Sequence, residues 1–244
     1  GWQRQDHARS VQGDVEAALS KVADHDVRVV CAGRTDSGVH ASRQIIHFDT
    51  SAERSERSWV LGTNANLPAD AGLLWAREVD AGFHARFSAQ TRCYRYIILN
   101  RDVPSALLHR RVTWVHQALD ESRMQDGARY LLGEHDFSSF RALACQANSP
   151  VRTLYRLDIK RSGAYLYLDV EANAFLHHMV RNIAGVLIAV GCGAHRSHWV
   201  KDILDKRDRT QGGVTAPATG LYLVGVRYPQ KYGIGSLGAV PEFG

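Results

Sequence analysis

The stretch Val27-Arg28-Val29-Val30-Cys31-Ala32-Gly33-Arg34-Thr35-Asp36-Ser37-Gly38-Val39-His40-Ala41, followed by Ile45-Ile46-His47-Phe48, decides how the chain is read. Its two ends are short β-branched and apolar runs, which predict strands. Between them two glycines bracket a single carboxylate. Glycine admits φ > 0 and close approach of a ligand, so the segment predicts a tight loop carried by two strands. Upstream, Ser10 is a suitable N-cap for a helix with Val11, Val15, Ala18, Leu19 and Val22 on one face. Helix, strand, loop and strand in this order predict a mixed α and β architecture.

Working outward, Asn66-Leu67-Pro68 punctuates the chain, and further strands are expected at Leu73–Val79 and Tyr94–Leu99. The irregular region from Val103 to Leu119, with Pro104 and Arg110-Arg111, marks an internal boundary. The second half predicts a helix over Glu121–Leu132 and strands at Leu154–Lys160 and Tyr165–Val170 joined by a hairpin at Ser162-Gly163. It continues with helices from Leu176 to Gly191 and from His198 to Lys206, and a last strand from Leu221 to Tyr228. The expected division is an N-terminal half over 1–104, a C-terminal half over 105–228 and a flexible Gly- and Pro-rich tail over 229–244. The fold class is α+β.

The 244 residues (27.1 kDa), 45% hydrophobic and 23% charged, exclude a disordered or fibrous chain. The net charge is +5, made of 25 Arg and 5 Lys against 25 acidic residues. Arginine's planar fork suits phosphate and base stacking, but a GC-rich coding sequence would give the same excess, so both readings stay open. Cys31, Cys93, Cys145 and Cys192 form no C-x-x-C pair, which predicts reduced thiols in a cytosolic protein. The longest apolar run, Ile183–Ala194, is too short to span a bilayer, and no signal peptide is expected.

Asp36 has two readings from its residues alone: a carboxylate projecting into a cleft, or a turn residue bonded to its own backbone. No G-x-x-x-x-G-K-[ST] phosphate loop is present. A glycosidase needs a second flanking carboxylate, and Asp49 and Glu53 lie beyond the next strand. Asp36, His40 and His177-His178 superficially suggest a metal set. Adjacent histidines on a helix, however, point about 100° apart.

The nine residues Gly33–Ala41 closely resemble the signature of the tRNA pseudouridine synthases of the TruA type. The same family order is found in Gly1-Trp2-Gln3-Arg4-Gln5, Phe83-His84-Ala85-Arg86-Phe87-Ser88-Ala89, Tyr94-Arg95-Tyr96 and Asp136-Phe137-Ser138-Ser139-Phe140. It continues in Asn173-Ala174-Phe175-Leu176-His177-His178-Met179-Val180-Arg181-Asn182 and Thr215-Ala216-Pro217-Ala218-Thr219-Gly220-Leu221-Tyr222-Leu223. The resemblance covers residues 1 to 228. Ser37 stands where many relatives carry Ala, and relatives carry a strand and Tyr-Asp-Gly ahead of the Gly-Trp-Gln with which this chain starts.

The resemblance implies the pseudouridine synthase fold, a mixed and mostly antiparallel sheet flanked by helices in two pseudo-repeated halves. It implies isomerisation of uridine to pseudouridine in the tRNA anticodon stem-loop, at positions 38–40 in tRNA numbering, without metal or other cofactor. Asp36 is then the catalytic carboxylate, Arg181 its ion-pair partner and Tyr94 the ring stacked on the target uracil. Arg34 enters the space left by the flipped base, Arg86 and Arg92 contact phosphates, and His40 belongs with the substrate-binding residues. A cytoplasmic homodimer binding tRNA, with no membrane and no nucleotide cofactor, is the implied assembly. Two other classes remain: a non-catalytic tRNA-binding protein or RNA chaperone of the same fold, and a hydrolase using Asp36 and His40.

Overall fold

A computed structural model describes residues 1–235 and 240–243. The chain divides into two compact units. The first comprises Gly1–Ser37, Gln44–Gln90 and Tyr228–Gly235; the second comprises Gly38–Arg43, Thr91–Arg227 and the described residues 240–243. These units differ from the expected division near Pro104, because the strand starting at Thr91 pairs with strands of the second half.

The strands opening the chain are β1 (Val30–Cys31), β2 (His40–Ala41) and β3 (Ile46–His47). In the first unit β1 and β3 pair antiparallel in a two-stranded ladder. Helix α1 (Val11–Ala23) begins as expected, with the Ser10 hydroxyl accepting the Gly13 N–H at 3.2 Å. It ends at Asp24 in the left-handed region. Its Val15 and Leu19 pack with Trp2, Val27, Val29, Cys31 and Trp59 into one core. Trp59 comes from α2 (Glu56–Asn66), capped by Ser55. This helix has no clear sequence signature, since it fully buries only Trp59 and Thr63.

The expected strand over Leu73–Val79 is not formed. Leu73 exchanges both backbone hydrogen bonds with the Asn64 side chain at 2.7 Å instead of with a ladder partner, and Leu74 stays largely exposed. Two extended apolar residues without a neighbouring strand do not make a sheet.

The second unit is built on a seven-stranded mixed sheet. Its strands besides β2 are β4 (Thr91–Asn100), β5 (Thr113–Val115), β6 (Gly133–Asp136), β7 (Val151–Ser162), β8 (Tyr165–Ala172) and β9 (Leu221–Arg227). The order is β2-β9-β4-β8-β7-β6, with β5 also on β4. β2–β9 and β4–β5 are parallel; the other pairings are antiparallel. β7 and β8 form the expected hairpin, turning at Gly163. β5 and β6 lie where no strand was expected, being short and lacking a clean alternation.

Helices α3 (Glu121–Ala128), α4 (Met179–Gly191) and α5 (Trp199–Lys206) complete this unit. α3 stops before Leu132, its last turn tightening into a 3₁₀ turn over Arg129–Leu131. α4 starts at Met179, later than expected, because His178 is in the left-handed region at φ 63°. His177 and His178 therefore precede the helix, and the helical separation argued from sequence does not describe them; their rings lie 4.0 Å apart. The described part of the supposed flexible tail is packed. Val240 and Phe243 lie on a core of Cys93, Ile97, Leu99, Val112, Tyr167, Tyr222 and Val224, while Tyr232 packs edge-on against Phe83.

Within α4, Gly185 is required by a close approach. A Cβ there would collide with the Val214 carbonyl oxygen, and the Ala216 N–H backbone would also crowd it at 3.3 Å. Alanine's intrinsic helix advantage of roughly 0.5–1 kcal/mol is smaller than the cost of displacing packed backbone, ~1–3 kcal/mol or more. Gly185→Ala is therefore expected to destabilise the protein by about 2 kcal/mol, read as a lowered midpoint in chemical denaturation.

Candidate functional site

The loop carrying Asp36 is pinned at its base within the first unit. The Gln44 side-chain amide donates to the Gly33 carbonyl at 2.6 Å and accepts the Gly33 N–H at 3.4 Å. Ala32 N–H donates to Ile45 carbonyl at 2.8 Å, closing the same strand pair. Trp2 N–H donates to the Thr35 carbonyl at 3.0 Å. The chain start thus lies along the loop: a Cβ on Gly1 would meet Ser37 N at 2.9 Å. These bonds hold the residues just ahead of Asp36, which is half-buried, while Arg34 is exposed.

Arg34 and Arg86 both act electrostatically on the Cys31 thiol. Burial raises that thiol's pKa, and the two guanidinium charges partly oppose the rise. Asp36, Arg34 and Arg86 accordingly all belong to the first unit.

After Ser37 the loop continues in the second unit, where Gly38 takes φ +82°. His40 lies on β2, beside Tyr222 of β9 in the parallel register. Its ring stacks on Tyr222 with centroids 4.6 Å apart. His40 Nε2–H donates to the Arg110 carbonyl at 2.9 Å, and the Tyr222 hydroxyl donates to the Arg111 carbonyl at 2.5 Å. Burial pushes the Tyr222 hydroxyl up to about 12, so it remains a donor. The ring and Nε2 of His40 are thereby committed to supporting contacts.

Tyr94 lies at the middle of β4, between Val170 of β8 and Leu223 of β9. Its ring meets Phe175 edge-on at 5.1 Å. Successive strand residues alternate faces, which puts Arg92 on the Tyr94 side. There Arg92 donates to the Asn173 carbonyl at 3.1 Å. Arg95, on the opposite face, makes a two-pronged contact with Asp169 at 2.7 and 2.8 Å and lies over the Tyr167 ring.

Arg181, in the first turn of α4, exchanges two bonds with Ala216. Its Nε–H donates to the Ala216 carbonyl at 2.9 Å and its own carbonyl accepts the Ala216 N–H at 3.1 Å. The neighbouring Pro217 carbonyl accepts the Tyr96 hydroxyl at 2.7 Å. Tyr96 is fully buried; burial raises its pKa, while Thr113 and the charge of Arg181 lower it. Asn182 bonds the Phe140 carbonyl at 2.6 Å and accepts from Thr215 at 2.6 Å and Arg209 at 3.1 Å. The segment 215–217 is thus laced to α4 and β4, and Tyr94, Arg92 and Arg181 belong to the unit it completes.

A family model described as tRNA pseudouridine synthase matches residues 1–88 and 128–229. The chain belongs to the tRNA pseudouridine synthase family. The matched segments contain Arg34, Asp36, His40, Arg86 and Arg181, whereas Arg92 and Tyr94 fall in the stretch between them. Among relatives of this synthase family, a protein named tRNA pseudouridine synthase A from Methylococcus capsulatus is 58% identical over 96% of this chain and 86% of its own length. Proteins of the same name from Coxiella burnetii and Legionella pneumophila are each 53% identical, over 100% and 96% of this chain and 93% and 89% of their own lengths. The α+β architecture with a mostly antiparallel mixed sheet agrees with that family.

Gln44 and Arg209 lie outside every motif read from the sequence, while Tyr96, Asn182 and Thr215 lie inside such motifs without a role assigned to them; all five position this synthase's backbone. Asn182 carries a further signal, as a polar residue at the start of a strongly apolar helix. Replacing Gln44 by Ala removes both bonds to Gly33. The expected loss is ~1–2 kcal/mol of stability, measured by equilibrium unfolding, together with a fall in catalytic turnover measured on the folded variant.

Proposed function

We propose that this chain isomerises uridine to pseudouridine in the tRNA anticodon stem-loop, at positions 38–40. The observation that carries the reading is the intact Gly33–Ala41 loop, pinned at its base ahead of its single carboxylate, in a chain of this family. The reaction breaks the N1 glycosidic bond, rotates the retained base and rejoins it to the sugar through C5, with loss of the C5 proton. Because no water is activated, one carboxylate suffices.

In this proposal Asp36 is the catalytic carboxylate and Arg181 supplies the opposing charge. Tyr94 stacks on the flipped uracil. Stacking worth ~1–3 kcal/mol offsets part of the few kcal/mol spent on flipping. Arg34 occupies the position the base vacates, and Arg86 and Arg92 meet phosphates. His40 acts as a support, holding the Arg110-Arg111 turn through its carbonyl contact. Neither a metal nor an organic cofactor is required by this chemistry. We further propose a cytoplasmic homodimer with tRNA bound across both subunits; among the described residues no helix is long and apolar enough to cross a membrane.

The test is tritium release from tRNA carrying 5-tritiated uridine. Asp36→Asn is expected to lose more than about 10⁴-fold in rate, at or beyond the usual limit for one acid–base group, while still binding tRNA. Full turnover in that variant overturns the assignment. Free uracil as product would indicate hydrolysis, and tight tRNA binding without tritium release by the unaltered chain would indicate a binding protein. Affinity for tRNA is also expected to fall steeply between about 50 and 200 mM salt, as phosphate neutralisation requires; titrations at several salt concentrations check this.

A further inference from the structure

The side chain of Phe87 is 76% exposed, yet its surroundings hold it in place. His84 Nδ1 accepts the backbone N–H of Arg86 at 3.2 Å and that of Phe87 at 3.1 Å, closing a tight turn. With Nδ1 an acceptor for both, the His84 proton resides on Nε2. The His84 backbone N–H in turn donates to the Ser88 hydroxyl at 3.0 Å, and Ser88 N–H donates to the His84 carbonyl at 2.8 Å.

Rings are layered on this turn. His84 stacks on Phe87 with centroids 4.3 Å apart and planes 28° from parallel. Behind it, His47 lies 4.7 Å from His84, and His47 Nδ1 accepts the Ala85 N–H at 3.1 Å. The Arg86 guanidinium is 5.5 Å from the Phe87 centroid. An exposed phenylalanine contributes little to folding, and this one is held by a ring behind it rather than by a core. Its neighbours leave most of the ring open and put a positive charge at its side.

We propose that Phe87 is a stacking platform for an unpaired base of the tRNA, with the Arg86 charge favouring the flanking phosphate. The inference rests on the tRNA reading given above and adds to it a second base contact, separate from Tyr94. An aromatic face accepts any base, so the contact gives affinity and position without sequence preference. A planar base with a phosphate beside it matches the pairing of flat apolar ring and cation.

The experiment compares the unaltered chain with Phe87→Ala, Phe87→Leu and Phe87→Trp, using unmodified tRNA transcripts. Affinity is measured by filter binding and turnover by tritium release. Ala and Leu are both expected to weaken tRNA binding by roughly 5–100-fold, with the loss appearing more in KM than in kcat. Trp is expected to retain affinity, and its added fluorescence to be quenched as tRNA binds. All three should melt close to the unaltered chain, since the side chain is exposed.

Wild-type affinity in the Ala variant overturns the proposal. So does wild-type affinity in Leu, which keeps the apolar volume but not the ring face. A change in oligomeric state by light scattering, without a change in tRNA affinity, assigns the ring to a subunit contact and likewise overturns it. Failure of the tRNA reading itself is seen separately, as absence of tritium release by the unaltered chain.

Discussion

The two-sided hydrogen bonding of strand β4 constrains everything built around it in the second unit. β8 pairs along one edge from Arg92 to Leu99. Along the other, β9 serves the first part and β5 the last. A strand held on both edges has no rotational freedom, so its alternation is enforced. Tyr94 and Tyr96 are sent to one face and Arg95 to the other. The register with β9 absorbs an irregularity at Cys93/Tyr94 without β4 itself losing its alternation.

The charged face of that strand illustrates how burial is made tolerable. Arg95 is almost fully covered, and an unpaired buried guanidinium would cost several kcal/mol. Two parallel bonds to Asp169, a further contact with Glu242 and the π-face of Tyr167 surround it. Burial would lower its pKa, but the two carboxylates outweigh that effect and hold the charge. At the Tyr94 end the sheet is edged by a comparable set, in which Glu171 accepts from Thr91 and Arg227. Burial would raise the Glu171 pKa, and those bonds reverse it.

The α+β class, the long strands and helices, and the loop bearing Asp36 were legible because each carries a local signal. β-branched runs, a Ser N-cap and paired glycines act over a few residues and report on themselves. Elements whose stability comes from elsewhere were not legible. α2 exists because Trp59 completes a core begun by α1, and β5 because the end of β4 needs a partner. The reverse error occurred at Leu73–Val79, where strand-like residues found Asn64 instead of a ladder. Among the candidate residues, Asp36 and Arg181 stood out, while Gln44 carried no signal and the bonds of Asn182 and Thr215 did not show in their motifs. A backbone-clamping amide looks like any surface amide until its carbonyl partner is known. His40 is a mixed case: its place in the motif was visible, but its bond to the Arg110 carbonyl crosses 70 residues of sequence.

The shortness of β2 has a consequence for solubility. The outer rim of β9 offers a row of backbone donors and acceptors, the kind of edge on which foreign strands nucleate. Two residues, His40 and Ala41, pair with that rim, and the N–H groups of Ser42 and Arg43 both turn onto the Leu223 carbonyl. The strand that follows the Asp36 loop is therefore the guard of the sheet. A substitution that frees this strand uncovers an adhesive border, so a disturbance of the Asp36 loop and a tendency to self-associate arise together from one displaced strand.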